Sequence, residues 1–217
     1  MQTKTKENPL YSAPDWQTAP APIAYDQAVS FMEERVKQIR EQGVNDLVWL
    51  LEHPPLYTAG TSANAKDLLN PAFPVYQTGR GGQYTYHGPG QRIGYVMLDL
   101  QKRGSDLRRY ICDLEEWMIE ALKTFDVKGE RRAGRVGIWI ANKNSEAKIA
   151  AVGVRVRKWV TYHGVSINVN PDLSHYNGIV PCGIKDYGVT SLQALGLKVS
   201  MADLDEALQK SWNKIFV

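Results

Sequence analysis

Three apolar runs follow one another with almost nothing between them: "RVGIWIAN" (135–142), "KIAAVGVRVRKWV" (148–160) and "YHGVSINVN" (162–170). In the second, Val152, Val154 and Val156 alternate with Gly153 and Arg155; in the third, Val165, Ile167 and Val169 alternate with Ser166 and Asn168. A period of two in β-branched residues marks strands with a packed face. Parallel neighbours need a crossover of a dozen or more residues, far more than these gaps hold, so antiparallel pairing is expected.

Helical periodicity lies outside this block. "YDQAVSFMEERVKQIREQG" places Tyr25, Ala28, Val29, Met32, Val36 and Ile39 on one face, and Gly43 ends it. "SDLRRYICDLEEWMIEALKTF" carries a stripe from Leu107 and Ile111 through Leu114, Met118, Ala121 and Leu122 to Phe125, with Ser105 as the expected N-cap. A last helix follows Ser200, with Leu204, Ala207, Leu208, Ser211 and Ile215 inward. "DLVWLLEH" (46–53), "FPVYQT", "GQYTYH" and "RIGYVMLDL" (92–100) read as short strands. The expected fold is α+β: a mixed, mostly antiparallel sheet with packed helices, lacking the βαβ rhythm of a doubly wound nucleotide fold. Residues 1–23 hold four prolines and read as an extended, partly mobile lead-in to a single domain over 24–217.

The net charge of +3 is too small to imply nucleic acid. No apolar run approaches the length of a membrane span and the N-terminus has no signal-peptide core, so a cytoplasmic protein without membrane attachment is expected. The basic cluster in "VKGERRAGR" (Lys128, Arg131, Arg132, Arg135) reads as a solvated turn or as a docking patch for an acidic partner. Two cysteines and four scattered histidines make no zinc framework, and no metal or other cofactor is expected.

The densest chemistry lies in "RGGQYTYHGPGQ" (80–91). No G-x-x-x-x-G-K-[ST] is present and no helix pattern follows, which argues against a phosphate loop. Glycines let a ligand approach the main chain closely, so the stretch suits the wall of a narrow slot with Arg80 and His87 at its ends. Its plainer reading is a glycine-rich turn with an exposed arginine. Cys182, in "NGIVPCGIKDYG", stands between a residue that fixes the backbone and one that frees it, and looks presented rather than packed. Cys112, beside the stripe of a helix, reads as structural. A thiol is mostly protonated at neutral pH and needs a cation or base to become a good nucleophile. A histidine or a lysine qualifies, and Lys148, opening a strand without an apolar-face reason, is one candidate; a solvated strand start is the alternative for it.

"LEHPPLYTAG", "RGGQYTYHGPGQ", "KIAAVGVRV", "YHGVSINVNPDLS" and "IVPCGI" stand in the order found in the lipoyl(octanoyl) transferases, and the chain resembles that family from about residue 25 to 195. Small departures are "RIGYVM", where relatives tend to carry Tyr-Pro, and Tyr162, where methionine is common. The resemblance implies the fold of the lipoate and biotin protein ligase catalytic domains. It implies transfer of octanoyl from octanoyl-acyl carrier protein to a lysine of the lipoyl domains of 2-oxoacid dehydrogenase complexes and of the glycine cleavage H protein. It puts the nucleophile on Cys182 and the lysine that lowers its pKa on Lys148. It puts acyl binding on Arg80, Gly81, Gly82, Gln83, Tyr84, Thr85, Tyr86 and His87, on Ala151, Val152 and Gly153, and on Gly164, Val165 and Ser166. The rival readings are an ATP-dependent lipoate–protein ligase, which needs no nucleophilic cysteine, and a non-catalytic acyl-binding module.

Overall fold

The structure, a computed structural model, describes residues 13–142, 145–180 and 187–216. In chain order its elements are β1 (Asp15–Thr18), α1 (Tyr25–Gln42), β2 (Leu47–Leu51), β3 (Leu56–Ala59), β4 (Val75–Gln77), β5 (Tyr84–His87), β6 (Gln91–Met97), α2 (Leu107–Lys123), β7 (Glu130–Arg132), β8 (Arg135–Asn142), β9 (Ser145–Arg157), β10 (Val160–Asn168), β11 (Gly188–Val189) and α3 (Met201–Phe216). Among the described residues the main sheet runs β1-β2-β6-β10-β9-β8-β7, with β11 added on β9, and a smaller sheet runs β4-β3-β5. Pairing in the main sheet is antiparallel except for β1 on β2 and β11 on β9. The α+β architecture and the antiparallel block read from the sequence are both present.

The sheet is buried on both faces. Along β2, Val48 and Leu50 point into the core beneath α2 and α3, while Leu47, Trp49 and Leu51 point into the core beneath α1. This is why the strand reads as a continuous apolar run rather than an alternating one. Full burial of each such side chain is worth roughly 1.5–3 kcal/mol. Helix α2 is clamped to α3 by Trp117, whose Nε1 donates to the Leu208 carbonyl at 2.8 Å. At the start of α3 the Ser200 hydroxyl accepts from Asp203 N–H, and the Asp203 carboxylate accepts from Ser200 N–H, a reciprocal cap.

Four local expectations change. The N-cap of α2 is Asp106, which accepts from Arg109 N–H at 2.9 Å; Ser105 sits one residue earlier at φ 54°. Leu107 is exposed at the tip of the stripe. Cys112 is exposed rather than packed. The run 148–160 contains a turn: Lys158 and Trp159, at φ 50° and 64°, close the β9–β10 hairpin. Within the lead-in, Asp15–Thr18 pairs with Leu47–Leu50, and the Trp16 ring sits 6.2 Å from Trp117 and 5.5 Å from Trp212. The sheet therefore begins before the boundary expected at residue 24. No helix among the described residues is long and apolar enough to cross a membrane.

Candidate active site

A cavity of about 230 Å³ opens where the glycine stretch meets the β9–β10 hairpin. The glycine stretch contributes Arg80, Gly82, Gln83, Tyr84, Thr85 and His87, and the hairpin contributes Lys148, Ala151–Gly153 and Gly164–Ser166. Two of the expected residues lie off this wall. Gly81 donates its N–H to the Val154 carbonyl at 2.9 Å, stitching the loop to β9. Tyr86 packs against Tyr57 and donates or accepts at His175 Nδ1, 2.8 Å away, in the smaller sheet's core. Cys182, with Pro181 and Gly183, lies outside the described residues.

Arg80 is buried and works inside the loop. Its guanidinium donates to the Thr58 carbonyl (2.9 Å), Thr58 Oγ1 (2.6 Å), the Gln83 carbonyl (2.9 Å) and the Gly81 carbonyl (3.0 Å). A Cβ on Gly153 would lie 2.9 Å from Arg80 Cδ, so the missing side chain admits the arginine stem against β9. Thr58 Oγ1 lies 3.5 Å from His87 Nε2, and His87 Nδ1 lies 2.6 Å from Gln91 Oε1. The Gln91 amide nitrogen donates to the Tyr86 carbonyl and to Asn168 Oδ1, which leaves its oxygen to accept from His87 Nδ1–H. His87 Nε2 is then the acceptor, facing Thr58.

His87, His53 and His163 are all buried and all held neutral. Burial, with His53 adding to it, lowers His87 to about 3. Burial lowers His53 to about 4, and burial followed by the Arg80 guanidinium lowers His163 to about 3. His53 Nδ1 meets the Ile23 carbonyl at 2.6 Å and must carry its proton there, so Nε2 accepts from Tyr95 OH at 2.7 Å. Burial pushes the Tyr95 phenol well up, which keeps it a donor. Tyr25 and Val136 line the cavity without having been singled out for it from the sequence, whereas His163 is one of the four histidines able to activate a thiol, and Ile93 and Tyr95 lie in the departing stretch "RIGYVM".

Lys148 is buried, and its strand starts three residues earlier, at Ser145. Its Nζ donates to the Val136 carbonyl at 2.9 Å and lies 4.7 Å from the centre of the Trp139 ring. A β-bulge produces this placement. Ile138 opposes Ala150 and Trp139 opposes Lys148, so Ile149 is the extra residue. Ile149 and Ala150 both enter the core beneath α2 and α3, and Lys148 is turned to the cavity. On the other edge of β9, Gly188 and Val189 pair with Ala147 and Lys148 where β10 has ended. Tyr187 packs edge-on to Trp139, centroids 5.6 Å apart.

The order of sheet and helices described above is one already seen in solved structures. The chain superposes on lipoate-protein ligase A bound with ATP (TM-score 0.69, 14% identity, 93% of this chain and 85% of that one). It also superposes on biotin protein ligase from Aquifex aeolicus in complex with biotin and ATP (TM-score 0.55, 15% identity, 94% and 70%). At such identities the likeness is one of fold. Residues 24–213 match the Lipoyl protein ligase A/B catalytic domain, and the chain belongs to that family. An octanoyltransferase of Paramagnetospirillum magneticum is 60% identical over 93% of this chain and 96% of its own length. One of Rhodospirillum rubrum is 58% identical over 93% and 94%.

Proposed function

We propose that this protein transfers an octanoyl group from octanoyl-acyl carrier protein to a lysine of lipoyl domains, by way of a thioester on Cys182. The acceptors are the lipoyl domains of 2-oxoacid dehydrogenase complexes and the glycine cleavage H protein. The observation that carries the reading is the amine of Lys148, anchored on a backbone carbonyl in the wall of the cavity shared by all three motifs. The names of the relatives support octanoyl as the acyl group.

The chemistry needs no ATP, since a thioester is exchanged for an amide. In the first half, Lys148 stabilises the Cys182 thiolate or takes its proton. The thiolate adds to the octanoyl carbonyl, the donor's carbon–sulfur bond breaks, and the phosphopantetheine sulfur leaves and is protonated. In the second half the acceptor lysine, with an ordinary pKa near 10.4, gives up a proton before attacking. Lys148, left as the neutral amine once its proton has gone to the departing phosphopantetheine sulfur, receives it, and collapse of the tetrahedral intermediate returns the Cys182 thiolate. By strand alternation Val152 N–H points the same way as the Val154 carbonyl, away from β10 and towards the cavity side, and is a candidate donor to the developing oxyanion.

The slot supplies binding energy for the chain. Burying six or seven methylenes at about 0.8 kcal/mol each gives roughly 5 kcal/mol, before ordering costs. Arg80 and His87 hold the loop: the guanidinium donates to Thr58, Gly81 and Gln83, and the imidazole lies between Gln91 and Thr58. The test is intact-mass and peptide mapping after mixing with octanoyl-acyl carrier protein. An octanoyl adduct on Cys182, discharged by apo lipoyl domain, is expected. Cys182→Ser should abolish it and Cys112→Ser should leave it intact; a fully active Cys182→Ala protein would overturn the covalent path. Modification from octanoate and ATP, without any carrier, would favour a ligase.

A further inference from the structure

Glu115 is a carboxylate buried on α2, 7% exposed, in a helix face otherwise turned to the apolar core. A charge in that position needs partners that compensate for lost water. One is Arg131, whose Nε lies 3.3 Å from Glu115 Oε2. The other is backbone: Glu115 Oε1 accepts from Gly137 N–H at 2.8 Å. That N–H and the Val136 carbonyl belong to one peptide group, and the Val136 carbonyl accepts from Lys148 Nζ at 2.9 Å. A single planar amide therefore stands between the carboxylate on α2 and the amine in the cavity wall. Its N–H and C=O point in opposite directions, so each hydrogen bond polarises the group in the sense that strengthens the other.

The amide needs such a hold. Gly137 sits at φ +116°, and a Cβ there would lie 2.7 Å from the Ala150 carbonyl oxygen and 3.3 Å from Lys148 Cε. Only glycine keeps this φ and this approach to the Ala150 backbone, and glycine restrains its own peptide planes less than any other residue. The bond to Glu115 removes that freedom.

We propose that Glu115 is the positioning residue for Lys148, fixing the Val136–Gly137 peptide so that its carbonyl holds the amine at the cavity wall. This rests on the role of Lys148 in acyl transfer. The experiment uses the full chain carrying Cys112→Ser, so that the exposed thiol does not react, and follows single-turnover octanoylation of Cys182 from octanoyl-acyl carrier protein by intact mass. Glu115→Ala should slow acylation about tenfold at saturating donor with the KM for donor unchanged. Glu115→Gln, which keeps an acceptor oxygen, should recover most of the loss. Glu115→Ala added to Lys148→Met should cost nothing further, because the group it positions is gone. If Glu115→Ala does not fold, Glu115→Asp, one methylene short of Gly137, carries the same expectation. A parent-like rate in Glu115→Ala, or a second full loss on top of Lys148→Met, would overturn the proposal. A parent-like rate in Lys148→Met would remove the role of Lys148 itself, and this inference with it.

Discussion

His53, His87 and His163 show how single residues tie the site to the stability of the fold. In the unfolded chain each takes up a proton near pH 6.5, whereas in the folded protein burial delays this to about 4, 3 and 3. Between those limits the unfolded state binds more protons. Their contribution is therefore complete above about pH 6.5 and is lost as the pH falls towards 4, with a slope of about 1.4 kcal/mol per pH unit for each histidine. His163→Asn should make the decline between pH 6 and 5 shallower by roughly that amount. Asparagine tolerates the left-handed conformation of this residue, φ 58°. Urea denaturation at several pH values checks it, and an unchanged slope would mean that His163 is not held neutral. The sequence offers a histidine inside an apolar strand but no sign of its state, which depends on Tyr95, Arg80 and the sheet closing around it. Lys148 is similar. Its place on a strand was readable, but its burial follows from the bulge at Ile149, for which nothing in "AKIAAV" gives a signal.

At the scale of elements, the period of two in β9 and β10 and the 3.6-residue stripes of the helices were legible, because each element turns one continuous apolar face to a core, and the other face of β10 carries Gly164, Ser166 and Asn168. Two elements were not. The hairpin turn at Lys158–Trp159 has both residues at positive φ without the Asn or Gly that usually marks such a turn. Strand β1 is four residues long, in a proline-flanked stretch, and is held by partners distant in sequence. That dependence is testable. Trp16 ties β1 to Trp117 and Trp212, whose own rings stand edge-to-face with centroids 5.0 Å apart. Trp16→Ala should lower stability by about 2 kcal/mol through lost edge-to-face contact and area. It should leave Cys182 octanoylation unchanged, because Trp16 does not line the cavity. Chemical denaturation and the mass assay together check this, and a loss of acylation in a folded Trp16→Ala protein would tie β1 to the site after all.

At the scale of the whole molecule, the described residues favour the solvated turn over the docking patch for the cluster at 128–135. Lys128 pairs with Glu130, Arg131 with Glu115 and Glu116, Arg132 with Glu130 and Glu146, and Arg135 with Glu146. Four cations meet four carboxylates, which screens a long-range pull on an acidic carrier. Lys128→Glu should therefore leave the KM for octanoyl-acyl carrier protein within about twofold at low salt; steady-state kinetics would show a severalfold rise if the patch docks the carrier. The outline of the site was legible as three motifs, yet their convergence was not, since it depends on how a distant loop is laid across the sheet. One consequence concerns how the site comes together. Lys148, Ala151–Gly153 and Gly164–Ser166 all ride on a single hairpin, residues 145–168, whose contacts are close in sequence. That part closes through contacts local in sequence, while the glycine loop meets Val154 from some seventy residues upstream, the costlier of the two closures in chain entropy.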